Sequence, residues 1–157
     1  MSPLARPVLR LADAASASGL TKKDIRNWLD RGILSLFSEQ EQGWVDFSYA
    51  DVAMLALVAE MTRASIPAAP ACRIARKVIE DTGLTTARAG FPPLALPGVF
   101  TLKALVIWPH DGELLHQLIA ETELAEKPHR TRPAMFVLRP AGIITNAMLT
   151  IEEPIED

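Results

Sequence analysis

Between Thr21 and Gly32 the only apolar residues are Ile25, Trp28 and Leu29, spaced three and four apart in an otherwise polar stretch. That spacing places them on one face of a helix. Thr21-Lys22-Lys23-Asp24 has the Ser/Thr-x-x-acid form of a capping box, and Gly32 marks the stop. A shorter, alanine-rich helix is predicted over residues 9–18 (LRLADAASAS), with Gly19 as the turn between the two. Two short helices joined by a glycine-containing turn make a helix-turn-helix candidate.

The pattern then changes period. Residues 33–38 (ILSLFS) are short and apolar, and Trp44-Val45-Asp46-Phe47 alternates. With the polar turn at 39–43 between them they predict a β-hairpin. Ser48, with Asp51 three residues on, opens a helix to about Ala64 that carries Val52, Met54, Leu55, Val58 and Met61. Ile66-Pro67 stops it, and a fourth helix is predicted from about Ala68 to Asp81, ending at Gly83. Residues 84–98, rich in proline and glycine, read as a linker. Beyond it the expectation is a strand at Phe100–Trp108 and a turn at Pro109–Gly112. A helix at Glu113–Glu123 follows, with Leu114, Leu115, Leu118 and Ile119 on one face, then strands at 134–139 and 142–151 separated by Pro140.

The expected fold is α+β. An N-terminal winged helix-turn-helix, mostly α with a β-hairpin wing, occupies 1–83. The linker covers 84–98, and a small mixed α/β region for dimerisation or sensing covers 99–157. At 157 residues, 49% hydrophobic, the chain can build a real core. The longest strongly apolar stretch, Val52–Val58, is too short to span a bilayer. The start, MSPLARPVLR, lacks the apolar run of a signal peptide, and one cysteine allows no disulfide within the chain. A cytoplasmic protein with no membrane partner is expected.

The net charge is −3, but its distribution matters more. Residues 1–38 hold six Lys/Arg against three acids, and residues 81–157 hold six against ten. Positive charge is gathered at the front, where a polyanion would be met.

LADAASASGLTKKDIRNWLDRGIL and FSYADVAMLALVAEMTRASIP together resemble the DNA-binding domain of the MerR-like winged-helix regulators. The shared features are a small-residue helix, Gly, a hydrophobic residue, Thr, Ile-Arg, an aromatic, an acid and Arg-Gly-hydrophobic-Leu. A later aromatic-Ser-x-x-Asp-Val start leads into an apolar helix. The resemblance covers about half the chain and implies a DNA-binding transcriptional regulator. Two features depart from the family pattern. Gly43-Trp44 is followed by Val45 where the family carries an arginine, and the loop before it, Glu39–Gln42, carries two acids. The long coiled-coil helix of many members is replaced by a Pro- and Gly-interrupted mixed region.

On a helical wheel Lys22, Lys23, Arg26, Asn27 and Asp30 fall within an arc of about 140°, opposite Ile25, Trp28 and Leu29. Cations and an amide on one exposed face suit the major groove: arginine pairs with guanine or phosphate, asparagine with adenine. The predicted DNA-binding residues are Arg10, Thr21, Lys22, Lys23, Arg26, Asn27, Arg31 and Trp44, with Asp30 placed to orient Arg26. Trp28 is assigned to the core. The predicted partner is double-stranded DNA, read by a homodimer on a palindromic site, because one such module covers too few base pairs. The C-terminal region is open to a protein partner or a small-molecule effector. The competing expectations are a winged-helix protein-interaction module, prompted by the acidic wing, and an accessory or architectural DNA protein.

Of His110, His116 and His129, His110-Asp111 with His116 could suggest a metal site. With no cysteine nearby and no pattern of residues to support the ligands, all three read as surface residues, and Cys72 reads as a buried small residue. No nucleophile triad, paired carboxylates or phosphate loop stands out. Neither catalysis, a cofactor nor a bound metal is expected.

Overall fold

The computed structural model describes residues 9–38, 45–83, 95–126 and 136–152. Four helices come first: α1 (Leu11–Ser18), α2 (Lys22–Asp30), α3 (Tyr49–Arg63) and α4 (Ala68–Glu80). The single turn α5 (Ala95–Gly98) precedes the strands β1 (Lys103–His110) and β2 (Glu113–Ala120). The short α6 (Glu121–Glu126), β3 (Phe136–Leu138) and α7 (Pro140–Glu152) complete the order.

Helix α3 is the axis of the molecule. Ala50 to Ala59 are all buried, because α1, α4 and α7 pack around it. A helix apolar on every side is one enclosed by its neighbours. Its start is fixed by a complete capping box: the Ser48 hydroxyl accepts from Asp51 N–H at 3.1 Å, and the Asp51 carboxylate accepts from Ser48 N–H at 2.8 Å.

The sheet has order β2-β1-β3, antiparallel throughout. One face carries the rows Leu118–Leu105–Leu138 and His116–Ile107–Phe136. Leu105 and Ile107 join the same core as Ile25, Met54 and Met148, with Leu118 and Phe136 packed against it. Ala104 and Val106, on the other face of β1, are buried as well. Enclosure on both faces explains why the middle strand reads as a continuous apolar run.

Two predicted elements are corrected. Residues 113–120 form strand β2, not a helix. Leu114, Leu115, Leu118 and Ile119 fit a helical face, but Asp111-Gly112 before them adopts positive φ at both residues, 49° and 78°. That is the conformation of the tight hairpin turn favoured by Asp-Gly, so the run pairs with β1. It also moves the turn: Pro109 and His110 belong to β1.

Residues 142–151 form most of helix α7, not a strand. Pro140 is its first residue, a position where proline's fixed φ and missing N–H carry no penalty. The β-branched residues are accommodated in part by back-bonding: Thr145 Oγ1 donates to Ala141 C=O at 2.7 Å, and Thr150 Oγ1 to Asn146 C=O at 2.9 Å. Burial of Ile144, Ala147 and Met148 against the core outweighs the local preference for a strand.

Candidate nucleic-acid interface

The turn before α2 is built by short-range bonds. Gly19 sits at φ 82° and its N–H donates to Ala15 C=O at 3.0 Å, which ends α1 in a left-handed cap. The Ser18 hydroxyl accepts from Leu20 N–H at 3.3 Å. The Thr21 hydroxyl then accepts from Asp24 N–H at 3.0 Å and starts α2. Only this half of the predicted capping box forms.

Ile25 is fully buried and Trp28 nearly so, with Leu29 packed beside them. Burying each of the first two side chains contributes on the order of 1.5–3 kcal/mol and fixes which face of α2 looks outward. Lys22, Lys23, Arg26, Asn27 and Arg31 are all exposed. Arg31 lies just past the helix, its N–H donating to Asn27 C=O at 3.0 Å. Trp28 therefore lies in the core, as its position on the wheel requires.

Several cations elsewhere in the molecule are paired with carboxylates. Arg63 pairs with Glu60, Arg76 with Glu80, Lys77 with Asp81 and Arg139 with Glu121. Among the described residues Lys22, Lys23, Arg26 and Arg31 have no carboxylate partner within 4.0 Å. Asp30 does not bridge to Arg26, so its expected orienting role is not seen in this state. Arg10 stands apart from the group, 3.8 Å from Asp46 Oδ1. Beside it Leu9 and Phe47 exchange both backbone hydrogen bonds, at 2.9 and 2.8 Å.

The expected wing pairs residues 33–38 with 44–47. Residues 33–38, however, form no strand. Their backbone groups are engaged elsewhere: Ile33 and Leu34 N–H both donate to Trp28 C=O at 2.9 and 3.1 Å, and Phe37 N–H donates to Asp51 Oδ1 at 2.6 Å. The Arg76 guanidinium donates to Ser35 C=O at 2.6 Å and lies 4.3 Å from the centre of the Phe37 ring. The two arms meet where Ser38 Oγ donates to Asp46 C=O at 3.0 Å. Residues 39–44, with Glu39, Glu41 and Trp44, lie outside the described residues.

Asp51 and Arg76 are thus positioning residues that the sequence pattern does not reveal. The Ser48-x-x-Asp51 signal is visible, but only for the helix cap. The second use of the carboxylate, fourteen residues back along the chain, leaves no local pattern.

Among the described residues Cys72, His110 and His116 converge on no common site. Cys72 is buried, and burial pushes its thiol pKa up to about 11. His110 lies 3.3 Å from Asp111, both exposed. Burial on the core side of the sheet lowers the His116 pKa, aided by Arg73 and Lys77 and opposed by Asp81. Among the described residues no three His, Cys, Asp or Glu side chains gather into a cation site, and no helix is long and apolar enough to cross a membrane.

Residues 9–69 match the family described as MerR HTH family regulatory protein. The match runs from the Leu9–Phe47 bridge through the first residues of α4, so the segment that holds α1, α2 and α3 is similar to a MerR-type helix-turn-helix region. No curated protein matches the chain.

Proposed function

We propose that the protein is a sequence-specific DNA-binding transcriptional regulator that inserts α2 into the major groove. The observation that carries this is the exposed face of Lys22, Lys23, Arg26 and Asn27, with no carboxylate partner among the described residues, on a helix whose opposite face is locked into the core. That helix lies within a segment that matches a family of helix-turn-helix regulators. Arg26 and Asn27 have the donor patterns for guanine and adenine edges. Lys22 and Lys23, in the first turn, reach phosphates together with the free N–H groups there. Thr21, Arg31 and Arg10 flank them as further backbone contacts. Trp44 is a further proposed DNA contact.

In this reading the protein acts in the cytoplasm as a homodimer on a palindromic site. Residues 1–83 read DNA, 84–98 link, and 99–157 assemble the dimer or sense a signal. Titration against a pool of genomic fragments at several salt concentrations tests it. A regulator enriches fragments that share a motif, with affinity falling steeply as salt rises. Absence of enrichment at low salt refutes it in favour of the protein-interaction module that the acidic Glu39 and Glu41 prompt. Salt-sensitive binding without a shared motif favours the accessory DNA protein.

A further inference from the structure

The end of α1, the C-terminal half of α3 and the corner between β3 and α7 line an open cleft of about 590 Å³, within the size range of small-molecule sites. We propose that this cleft binds a small organic anion, a carboxylate- or phosphate-bearing metabolite. The charged side chains that line it are Arg63, Arg139 and Glu60, and each arginine is paired with a single carboxylate. Glu60 is already engaged by Arg63, and Arg139 Nε reaches Glu121, outside the cleft, at 2.8 Å. Each guanidinium has five N–H donors, so both keep donors beyond their single carboxylate. Both side chains are more than half exposed, at 58% and 64%, so neither pair is a buried one that a ligand would have to break. The Ser16 hydroxyl and the Asn146 amide add neutral polar groups to the lining, and Ala56 and Ala147 keep the floor shallow and apolar.

Gly19 fits the same arrangement. Its φ of 82° disfavours any side chain, and a Cβ there would stand 2.6 Å from Arg63 Nη2. The glycine that turns the chain into α2 thereby leaves room for the guanidinium beside the last turn of α1.

The position of the cleft gives binding a consequence. One wall belongs to the helix-turn-helix (α1, α3) and the other to the C-terminal region (β3, α7). An anion held by both walls binds only while they are packed, and so stabilises that packing. Any difference in its affinity between DNA-free and DNA-bound forms appears reciprocally as a change in DNA affinity. The site itself does not depend on DNA binding.

The test uses the full, isotope-labelled chain without DNA. Succinate and inorganic phosphate are titrated at fixed ionic strength, with neutral succinamide alongside, and backbone amide shifts are followed by NMR. At least one anion is expected to give saturable shifts at Gly19, Gly142 and Asn146, while succinamide gives none. A response to succinate alone identifies a carboxylate site, and to phosphate alone a phosphate site. Arg63→Gln and Arg139→Gln should each weaken the binding by about tenfold, the loss of one charge-assisted contact, with the remaining spectrum unchanged. Arg139 lies at an exposed helix boundary, so its variant decides the matter if Arg63→Gln disturbs α1. No saturable shift with either anion, an equal response to succinamide, or undiminished binding in Arg139→Gln overturns the proposal.

Discussion

Asp51 Oδ1 accepts the backbone N–H of Phe37 at 2.6 Å, while Oδ2 accepts the N–H of Ser48 at 2.8 Å. A single buried carboxylate therefore starts the central helix and anchors the chain that leaves α2. Asp51 is 0% exposed, so its removal strands the buried Ser48 N–H and leaves the part-buried Phe37 N–H without its acceptor. Hydrogen bonds to a charged acceptor are worth about 1.5–3 kcal/mol, and an orphaned buried donor costs about 1–3 kcal/mol. Asp51→Ala is expected to lower stability by roughly 3 kcal/mol in urea unfolding. Asp51→Asn, which keeps one acceptor, should fall between the wild type and Asp51→Ala. A loss for Asp51→Ala no larger than that of an exposed-site control such as Asp24→Ala would mean that the clamp contributes nothing.

The outward face of α2 separates function from stability. Arg26→Ala removes an exposed side chain with no ion-pair partner among the described residues, so the melting temperature should not move. Its effect belongs to DNA: a lost base contact costs about 1–3 kcal/mol and relaxes selection at one position. Lys22→Ala and Lys23→Ala should instead weaken binding to all sequences alike and lower the salt dependence by about 0.9 per lost phosphate contact. Competition binding with matched and scrambled operator fragments distinguishes the two patterns. Equal losses on both fragments for Arg26→Ala would assign it to the backbone.

Much of the N-terminal half is legible in the sequence because its signals are local. The spacing of Ile25, Trp28 and Leu29, the Thr21 cap, the Gly19 turn and the Ser48–Asp51 box each act within four residues. The whole of α2 follows from them. What is not legible depends on distant partners. Residues 33–38 look like a strand, yet Asp51 and Arg76, fourteen and forty-one residues away from their contacts, take backbone groups that a ladder would need. Residues 142–151 look β-branched and extended, yet a place against α3 and α1 turns them into a helix. For 113–120 the decisive signal is local, the Asp111-Gly112 pair, and a leucine spacing that two periods share obscures it.

That hairpin turn gives a third prediction. Gly112 holds φ 78°, and nothing lies within 4 Å of the position a Cβ would take. A substitution there meets no neighbour and is penalised by backbone conformation alone. Gly112→Ala should destabilise the fold by about 1 kcal/mol, and Asp111→Asn, which tolerates φ 49° equally well, should be near neutral. Thermal unfolding of the two variants checks the difference. An Ala variant as stable as the wild type would mean that β1 and β2 are held by their side-chain pairs rather than by the turn.

His116 couples the sheet to pH. It shares a row with Ile107 and Phe136 on the core side, and burial there lowers its pKa below the usual 6.5, helped by Arg73 and Lys77 against Asp81. The fold therefore favours neutral imidazole. Above 6.5 neither state is protonated and this stabilisation is fully present. As pH falls through 6.5 the unfolded chain takes up a proton that the folded chain refuses, and stability declines until the folded-state pKa is reached. For one group the slope cannot exceed about 1.4 kcal/mol per pH unit, and partial exposure makes it smaller. Urea midpoints measured from pH 8 to pH 5 should fall in the wild type, and His116→Gln should remove that part of the decline. An unchanged pH profile in the variant would assign the acid sensitivity to the carboxylates instead.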